Sequence, residues 1–444
     1  MKKNQLKLAV AGAVLVAASA AQAGIIIPAG DWTVDVSGNV NTYLTSTRHT
    51  GNATIVGGYQ QFVSGANDTG SKTASNLTTG LLPNYLAIGG TTRQNDLDVA
   101  FNISINPGSS VTQSGGQSAK QENRQAYLTF GDKSWGSVLV GKNIGLYAQD
   151  AILNDMTLLG VGAGAGALAG NTTTLGRIGT GFIYADWKPQ INYTTPNMNG
   201  FQATAGISQA WNLRGSNGAT TTTPANVTIA SGTAGGTASV TAASSSIATI
   251  SAGSTGRGES TPAYEGKASY SFAANDVTGK VWVSGIYQRV KSVTNSNAAA
   301  IAGADDDMSS VDIGANVNVA GFGLTGYYYS AEGVGTTMLG LDGYSATGKK
   351  RDSDGGYVQA TYVLPTKTKV GVSWGISNLD LATGETSATN STLVKENEMW
   401  TVGVYHPLTK HLNLVAEYSD AQSRNQANAE NKNRSGSLGA ILFF

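Results

Sequence analysis

Four groupings of residues in this chain have types and spacings that could do chemistry. Gly371-Val372-Ser373-Trp374-Gly375 fits the G-x-S-x-G pattern of a serine nucleophile. That pattern works where a strand breaks sharply into a helix and leaves the hydroxyl standing clear. Here the flanking residues alternate apolar and small without a break, so Ser373 reads as an ordinary strand residue. The glycine run 160–170 could cradle a phosphate, but no Lys-Ser/Thr pair follows it as phosphate loops require. Asp305-Asp306-Asp307 gathers carboxylate oxygens of the kind calcium accepts and is a weak metal candidate beside its plainer reading as a solvated acidic tip. His406 and His411 flank a short turn, and with His49 they are the three histidines of the chain. No cysteine is present, which excludes disulfides, Cys-ligated zinc and thiol catalysis. The 28 basic residues only balance 28 acidic ones, so the basic excess of a nucleic-acid binder is missing. No catalytic set and no cofactor motif emerges, and the expectation is a protein that is not an enzyme and needs no cofactor.

The elements that carry these residues decide their meaning. Only 13% of the 444 residues are charged, and 58 are glycine; a soluble protein is usually about 25% charged and about 7% glycine. Met1-Lys2-Lys3 with Lys7, an apolar stretch from Leu8 to Ala18, and Ala21-Gln22-Ala23 before Gly24 read as a secretory signal peptide over residues 1–23. Its removal takes three lysines and leaves residues 24–444 with a net charge of −3. Beyond Gly24 no apolar run approaches the ~20 residues of a membrane helix. A membrane protein of this sequence would have to cross with strands.

Alternation with period 2 recurs along the whole chain. Leu97, Val99, Phe101, Ile103 and Ile105 interleave with Asp98, Ala100, Asn102, Ser104 and Asn106, and Val370, Val372, Trp374 and Ile376 with Gly371, Ser373, Gly375 and Ser377. Each such stretch is a strand with one apolar and one polar face. Sixteen strands are predicted, near 31–46, 84–90, 96–106, 124–131, 135–142, 189–195, 200–210, 264–273, 278–290, 309–320, 321–330, 355–364, 367–378, 398–406, 411–420 and 435–444. Short connections alternate with long ones at 47–83, 107–123, 143–188, 211–263, 291–308, 331–354, 379–397 and 421–434. An even strand number with short turns at one end and long loops at the other predicts an all-β fold: a 16-stranded antiparallel transmembrane β-barrel of the bacterial outer membrane. Hydrocarbon offers the backbone no water, so the last strand must close on the first. The polar face, with Asp35, Asn39, Asp98, Lys267, Asp312, Gln359 and Glu417, would line the lumen, and barrels of ~16 strands leave an aqueous channel. Trp32, Trp135, Trp374 and Trp400 fall near strand ends, where interfacial aromatics belong.

Three stretches resemble the general diffusion porins of Gram-negative bacteria. They are Asn123-Arg124-Gln125-Ala126-Tyr127-Leu128-Thr129-Phe130 with Gly136 to Asn143, the hairpin Ile191-Asn192-Tyr193-Thr194-Thr195-Pro196-Asn197-Met198-Asn199-Gly200-Phe201, and the terminal Phe444. The resemblance implies a homotrimer of sixteen-stranded barrels, short turns on the periplasmic side, long extracellular loops, and a third loop, here 143–188, folded into the lumen. It also implies a constriction in which acidic residues of that loop, Asp150 and Asp155, face basic wall positions, for which Lys142 and Lys188 stand nearest. The family's acidic loop segment is replaced by the apolar run Thr157 to Ala165, and two basic wall positions correspond to Tyr85 and Asn39. Lys142 shares parity with Val138 and Val140, so it faces outward unless a bulge at Gly141 turns it. Phe444 resembles the family's signal to the barrel-assembly machinery.

Passive diffusion of small hydrophilic solutes and ions follows as the expected function, in a multi-pass outer-membrane protein surrounded by lipid and lipopolysaccharide. Arg289 and Lys291 are candidates to meet lipopolysaccharide phosphates. The apolar third loop, Tyr85 and the run Tyr327-Tyr328-Tyr329 motivate an alternative, a channel specific for a more apolar or aromatic solute. The Thr/Ser/Ala/Gly stretch 211–263 cannot build a core and reads as a low-complexity surface loop.

Overall fold

The computed structural model describes residues 24–58, 72–109, 122–163, 173–211, 221–222, 245–246, 261–290, 302–305 and 307–444. The expected signal peptide, most of the 211–263 loop and Asp306 lie outside the described residues. The strands in chain order are β1 (Ile25–Ala29), β2 (Trp32–Thr50), β3 (Thr73–Thr78), β4 (Tyr85–Gln94), β5 (Leu97–Ile105), β6 (Ala126–Asp132), β7 (Gly136–Ile144), β8 (Trp187–Thr194), β9 (Phe201–Ser208), the two-residue pair β10 (Thr221–Thr222) and β11 (Ser245–Ser246), β12 (Ala263–Ala274), β13 (Val277–Arg289), β14 (Asp307–Val319), β15 (Phe322–Glu332), β16 (Asp352–Val363), β17 (Lys369–Leu379), β18 (Val394–Pro407), β19 (Leu412–Asn425) and β20 (Glu430–Phe443).

Each of the strands β2, β4 to β9 and β12 to β20 pairs antiparallel with the next, β9 meets β12, and β20 returns to β2 with Asn39 opposite Phe443 and Thr50 opposite Lys432. The result is a closed barrel of sixteen strands with no open edge, as hydrocarbon demands. Every strand expected from alternation is present. Leu324, Ile313 and Leu438 are about 60% exposed on the outer face, an arrangement that only lipid makes favourable. Trp374 and Trp400 are register partners on that face, Trp400 lies 5.4 Å from the Tyr418 ring, and the Trp374 indole N–H donates to Glu398 at 2.6 Å.

One expected long loop is a tight turn. β19 continues to Asn425 and β20 begins at Glu430, so the connection is residues 426–429 rather than 421–434. Above the membrane both faces of a strand meet water, and Gln422, Arg424, Glu430 and Lys432 carry no alternation by which to recognise it. At the opposite end β1 pairs with the start of β2, Ile25 opposite Val36. Phe444 exchanges both backbone hydrogen bonds with Gly38. Since β4 occupies the other edge of β2 there, β1 takes up the line of β20 where β20 ends.

Candidate pore constriction

The segment between β7 and β8 turns inward and crosses the barrel. It contains a short helix α1 (Gln149–Asn154) and a 3-10 turn, Met156–Leu159, most of whose side chains are buried. Side chains of the wall capture its otherwise unpaired backbone donors one after another. Glu265 of β12 accepts from Leu146 N (2.8 Å) and Tyr147 N (3.1 Å), and Asp312 of β14 accepts from Ala148 N at 3.1 Å. Gln359 of β16 accepts from Met156 N at 2.6 Å. Glu417 of β19 accepts from Val161 N and Gly162 N, both at 2.8 Å, and from the Tyr405 hydroxyl at 2.7 Å. The Tyr43 hydroxyl donates to Leu159 O, and Leu81 N to Gly160 O. A buried N–H without an acceptor costs about 1–3 kcal/mol, so these carboxylates and amides fix where the loop can lie.

The returning limb rests on β17. The inward residues of that strand are Gly371, Ser373, Gly375 and Ser377, the same residues whose spacing imitated a nucleophile elbow. Ser373 Oγ accepts from Arg177 Nη2, and Ser377 Oγ accepts from Gly181 N at 2.9 Å. A Cβ at Gly375 would stand 2.5 Å from Thr180 O, and one at Gly371 2.8 Å from Met156 Sδ. Small residues leave a groove there, and the loop fills it. Arg177 is fully buried, donates Nη1 to Met399 O at 2.9 Å, and holds Nε 3.9 Å from Asp155 Oδ1. It is the single Lys or Arg between Ile144 and Trp187, which is the signal that sequence reasoning missed.

Asp150 meets wall lysines directly: it accepts from Lys267 Nζ at 3.2 Å and from Lys280 Nζ. Burial opposes its charge, but the two lysines outweigh burial and hold its carboxyl below the usual range. Asp155 is paired inside the loop; burial lifts its carboxyl above the usual range although Arg177 pulls the other way. Lys188 is buried and donates to Glu265 at 2.6 Å, an acid absent from the sequence-based expectation although it shares parity with Lys267.

Lys142 is not at the constriction. Its register partners Ala126 and Pro189 are exposed on the outer face, and its ammonium donates to Asn123 O at 2.8 Å. Gly141 takes φ 131°, yet the parity of the strand is kept. Tyr85 is buried at the start of β4 opposite Asn39, which is itself buried and accepts from Asn41 Nδ2 at 2.9 Å. Asp35 and Asp98 lie on the inward face near the short turns, Asp98 bonded to Arg93 at 2.7 Å. Asp312 also accepts from the Tyr327 hydroxyl at 3.1 Å.

Of the tyrosine run, Tyr328 faces outward, while Tyr327 and Tyr329 are buried. Tyr327 and Tyr357 lie 6.5 and 5.8 Å from the Phe182 ring of the returning limb. These rings support the loop. At the long-loop end, Asp305 accepts from Lys349 Nζ and Lys350 N, and Asp307 from Lys350 Nζ. Among the described residues no three His, Cys, Asp or Glu groups converge as a metal site would require.

A closed sixteen-stranded barrel with an apolar exterior, a polar interior and a loop folded across its bore is an outer-membrane channel. The family model of the Gram-negative porins matches residues 9–426, and the chain belongs to that family. No curated protein sequence matches it. Among solved structures it is similar to the outer-membrane channel DcaP of Acinetobacter baumannii, at 16% identity and a TM-score of 0.61, over 95% of this chain and 100% of that one. It is similar also to an anion-selective porin from Comamonas acidovorans (14%, 0.55, 93% and 100%) and to a trimer form of OmpT from Vibrio cholerae (13%, 0.51, 93% and 99%). Passive diffusion of solutes across the outer membrane follows from the family and the fold.

Proposed function

We propose that the chain, after loss of residues 1–23, works as a homotrimeric, water-filled pore for small hydrophilic solutes and ions, with no catalytic step. The carrying observation is the loop between β7 and β8, held to the wall by Glu265, Asp312, Gln359 and Glu417 rather than free in the lumen. Selection then comes from the gap this loop leaves and from the charges around it. Asp150, Lys267, Lys188 and Asp155 are its constriction residues: Lys267 keeps part of its side chain in water, and the three buried ones brace the loop. The trimer reading rests on family membership and on the trimer form of the similar OmpT. Outer-membrane lipid and lipopolysaccharide cover the apolar belt, and Phe444 addresses the assembly machinery. The narrower alternative, an aromatic-solute channel, loses Tyr327, whose ring packs against Phe182 of the loop, and Tyr329, which is fully buried.

Single-channel recording of the purified protein in a planar bilayer tests this reading. Stable ohmic steps that rise with salt and close in groups of three are expected. A protein that inserts and carries no current, or whose current one aromatic solute blocks at micromolar concentration, would overturn it.

A further inference from the structure

The loop between β15 and β16, residues 333–351, is a compact body in its own right. Its ends meet, with Gly333 N donating to Arg351 O at 3.0 Å. It folds back on itself through Gly340 N to Val334 O at 2.8 Å and Leu341 N to Met338 O at 2.9 Å. Two of its crossings admit only glycine: a Cβ at Gly335 would stand 1.6 Å from Leu341 O, and one at Gly343 2.1 Å from Gly333 O. Three neighbours hold this body in place. On the barrel wall, Ser353 Oγ on the inward face of β16 donates to Gly335 O at 2.7 Å. On the long-loop side, Glu385 accepts from both Nε and Nη2 of the buried Arg351, at 2.8 and 2.6 Å, and Leu341 packs with Ile55, Leu379, Leu393 and Val394. Toward the bore, Thr337 O accepts from Tyr184 N at 2.9 Å, and Val334, Leu339 and Tyr344 share one hydrophobic core with Phe182 and Ile183.

The third contact ties this body to the loop that narrows the bore. Phe182 to Tyr184 continue the returning limb whose residues Arg177 and Gly181 are bonded to β17. We infer that residues 333–351 form a second size-selecting element of the channel, a clamp that holds the returning limb of the β7–β8 loop against the wall through Thr337 and Leu339. This rests on the diffusion-pore reading above. The small residues of β17 seat one side of the limb, and the clamp closes over the other. While it is docked, the limb cannot swing outward without breaking the Tyr184 bond and baring Phe182, Ile183 and Leu339 to water, which apolar burial opposes. Glu385 and Ile55 hold the clamp from the long-loop side, so contacts outside the constriction keep its gap narrow. Large solutes are then excluded by positioning residues that no solute has to touch.

Liposome swelling with sugars of graded size tests this, and a chain without cysteine lets the clamp be locked at will. Leu339→Asp is expected to raise the rate for raffinose relative to arabinose about threefold, since pore diameter governs which solutes pass. The bond from Tyr184 to Thr337 brings their Cα atoms within the ~7 Å that a disulfide spans. Adding Tyr184→Cys and Thr337→Cys to Leu339→Asp and oxidising the pair should restore the wild-type ratio, and dithiothreitol should release it again. Wild-type vesicles that do not swell in arabinose would defeat the pore reading itself. The clamp is overturned, with the pore reading left standing, by an unchanged ratio in folded Leu339→Asp, by a raised ratio that the closed disulfide leaves raised, or by a cysteine pair that does not oxidise. If Leu339→Asp gives no heat-modifiable folded band, Glu385→Ala takes its place in the same series, loosening the clamp from outside with its own sequence intact.

Discussion

Arg177 shows how much one buried cation can do for a loop without regular structure. Its guanidinium bridges the returning limb to Met399 on β18 and Ser373 on β17 and faces Asp155 across 3.9 Å. Removing one partner of a fully buried pair costs about 3–5 kcal/mol. Arg177→Met is therefore expected to free the limb from its groove, giving a larger and noisier conductance and admitting larger sugars in a liposome-swelling assay. A barrel of unchanged exclusion size would show that the groove alone seats the loop. Asp342, in the loop before β16, makes a second prediction. Its Oδ2 accepts from Gly58 N at 2.6 Å, with Thr336 at 3.5 Å and Arg351 the charged group beside it. Burial raises its carboxyl to about 7. The docked loop thus binds a proton that the freed loop, near its ordinary value of 3.8, would release. Docking is strongest below pH 3.8, weakens as pH rises, and levels off above about 7. Hydrogen exchange of 333–351, corrected for intrinsic rates, should quicken from pH 5 to pH 8 in the wild type and stay flat in Asp342→Asn.

At the scale of elements the membrane itself supplies the code. Between lipid and lumen each strand must alternate, so sixteen strands could be located from residue types alone, and an outward position such as Ile313 can be named in advance. Ile313→Arg places a charge on the lipid face, where a mid-membrane arginine costs about 2–4 kcal/mol. The folded band in gel electrophoresis should then be lost at a lower urea concentration than in the wild type. The code stops where lipid stops. Gln422 to Lys432 lie above it and hid the extension of β19 and β20. The constriction was legible only in part for a related reason. The run Thr157 to Ala163 reads only as apolar, and its place is set by Glu417, more than 250 residues away. Lys142 was the converse: local motif placed it at the constriction while its parity placed it outside, and parity prevailed because a one-residue slip would turn the whole of β7 inside out.

The whole molecule is a ring made from a line. Phe444, just past β20, stands opposite Gly38 and Ile25 opposite Val36, so a single rung, at Ser37, separates Phe444 from the start of β1. β1 and β20 therefore lie end to end along β2 and form one stave of the wall. Joining that stave brings together residues some four hundred apart, yet ring closure grows only with the logarithm of contour length, about 5 kcal/mol here and ~0.6 more for a doubled chain. Length outside the membrane is thus nearly free of thermodynamic consequence. The connections beyond the strands can therefore grow or shrink at little cost to closure, while the stave, the ring and the bore stay as they are.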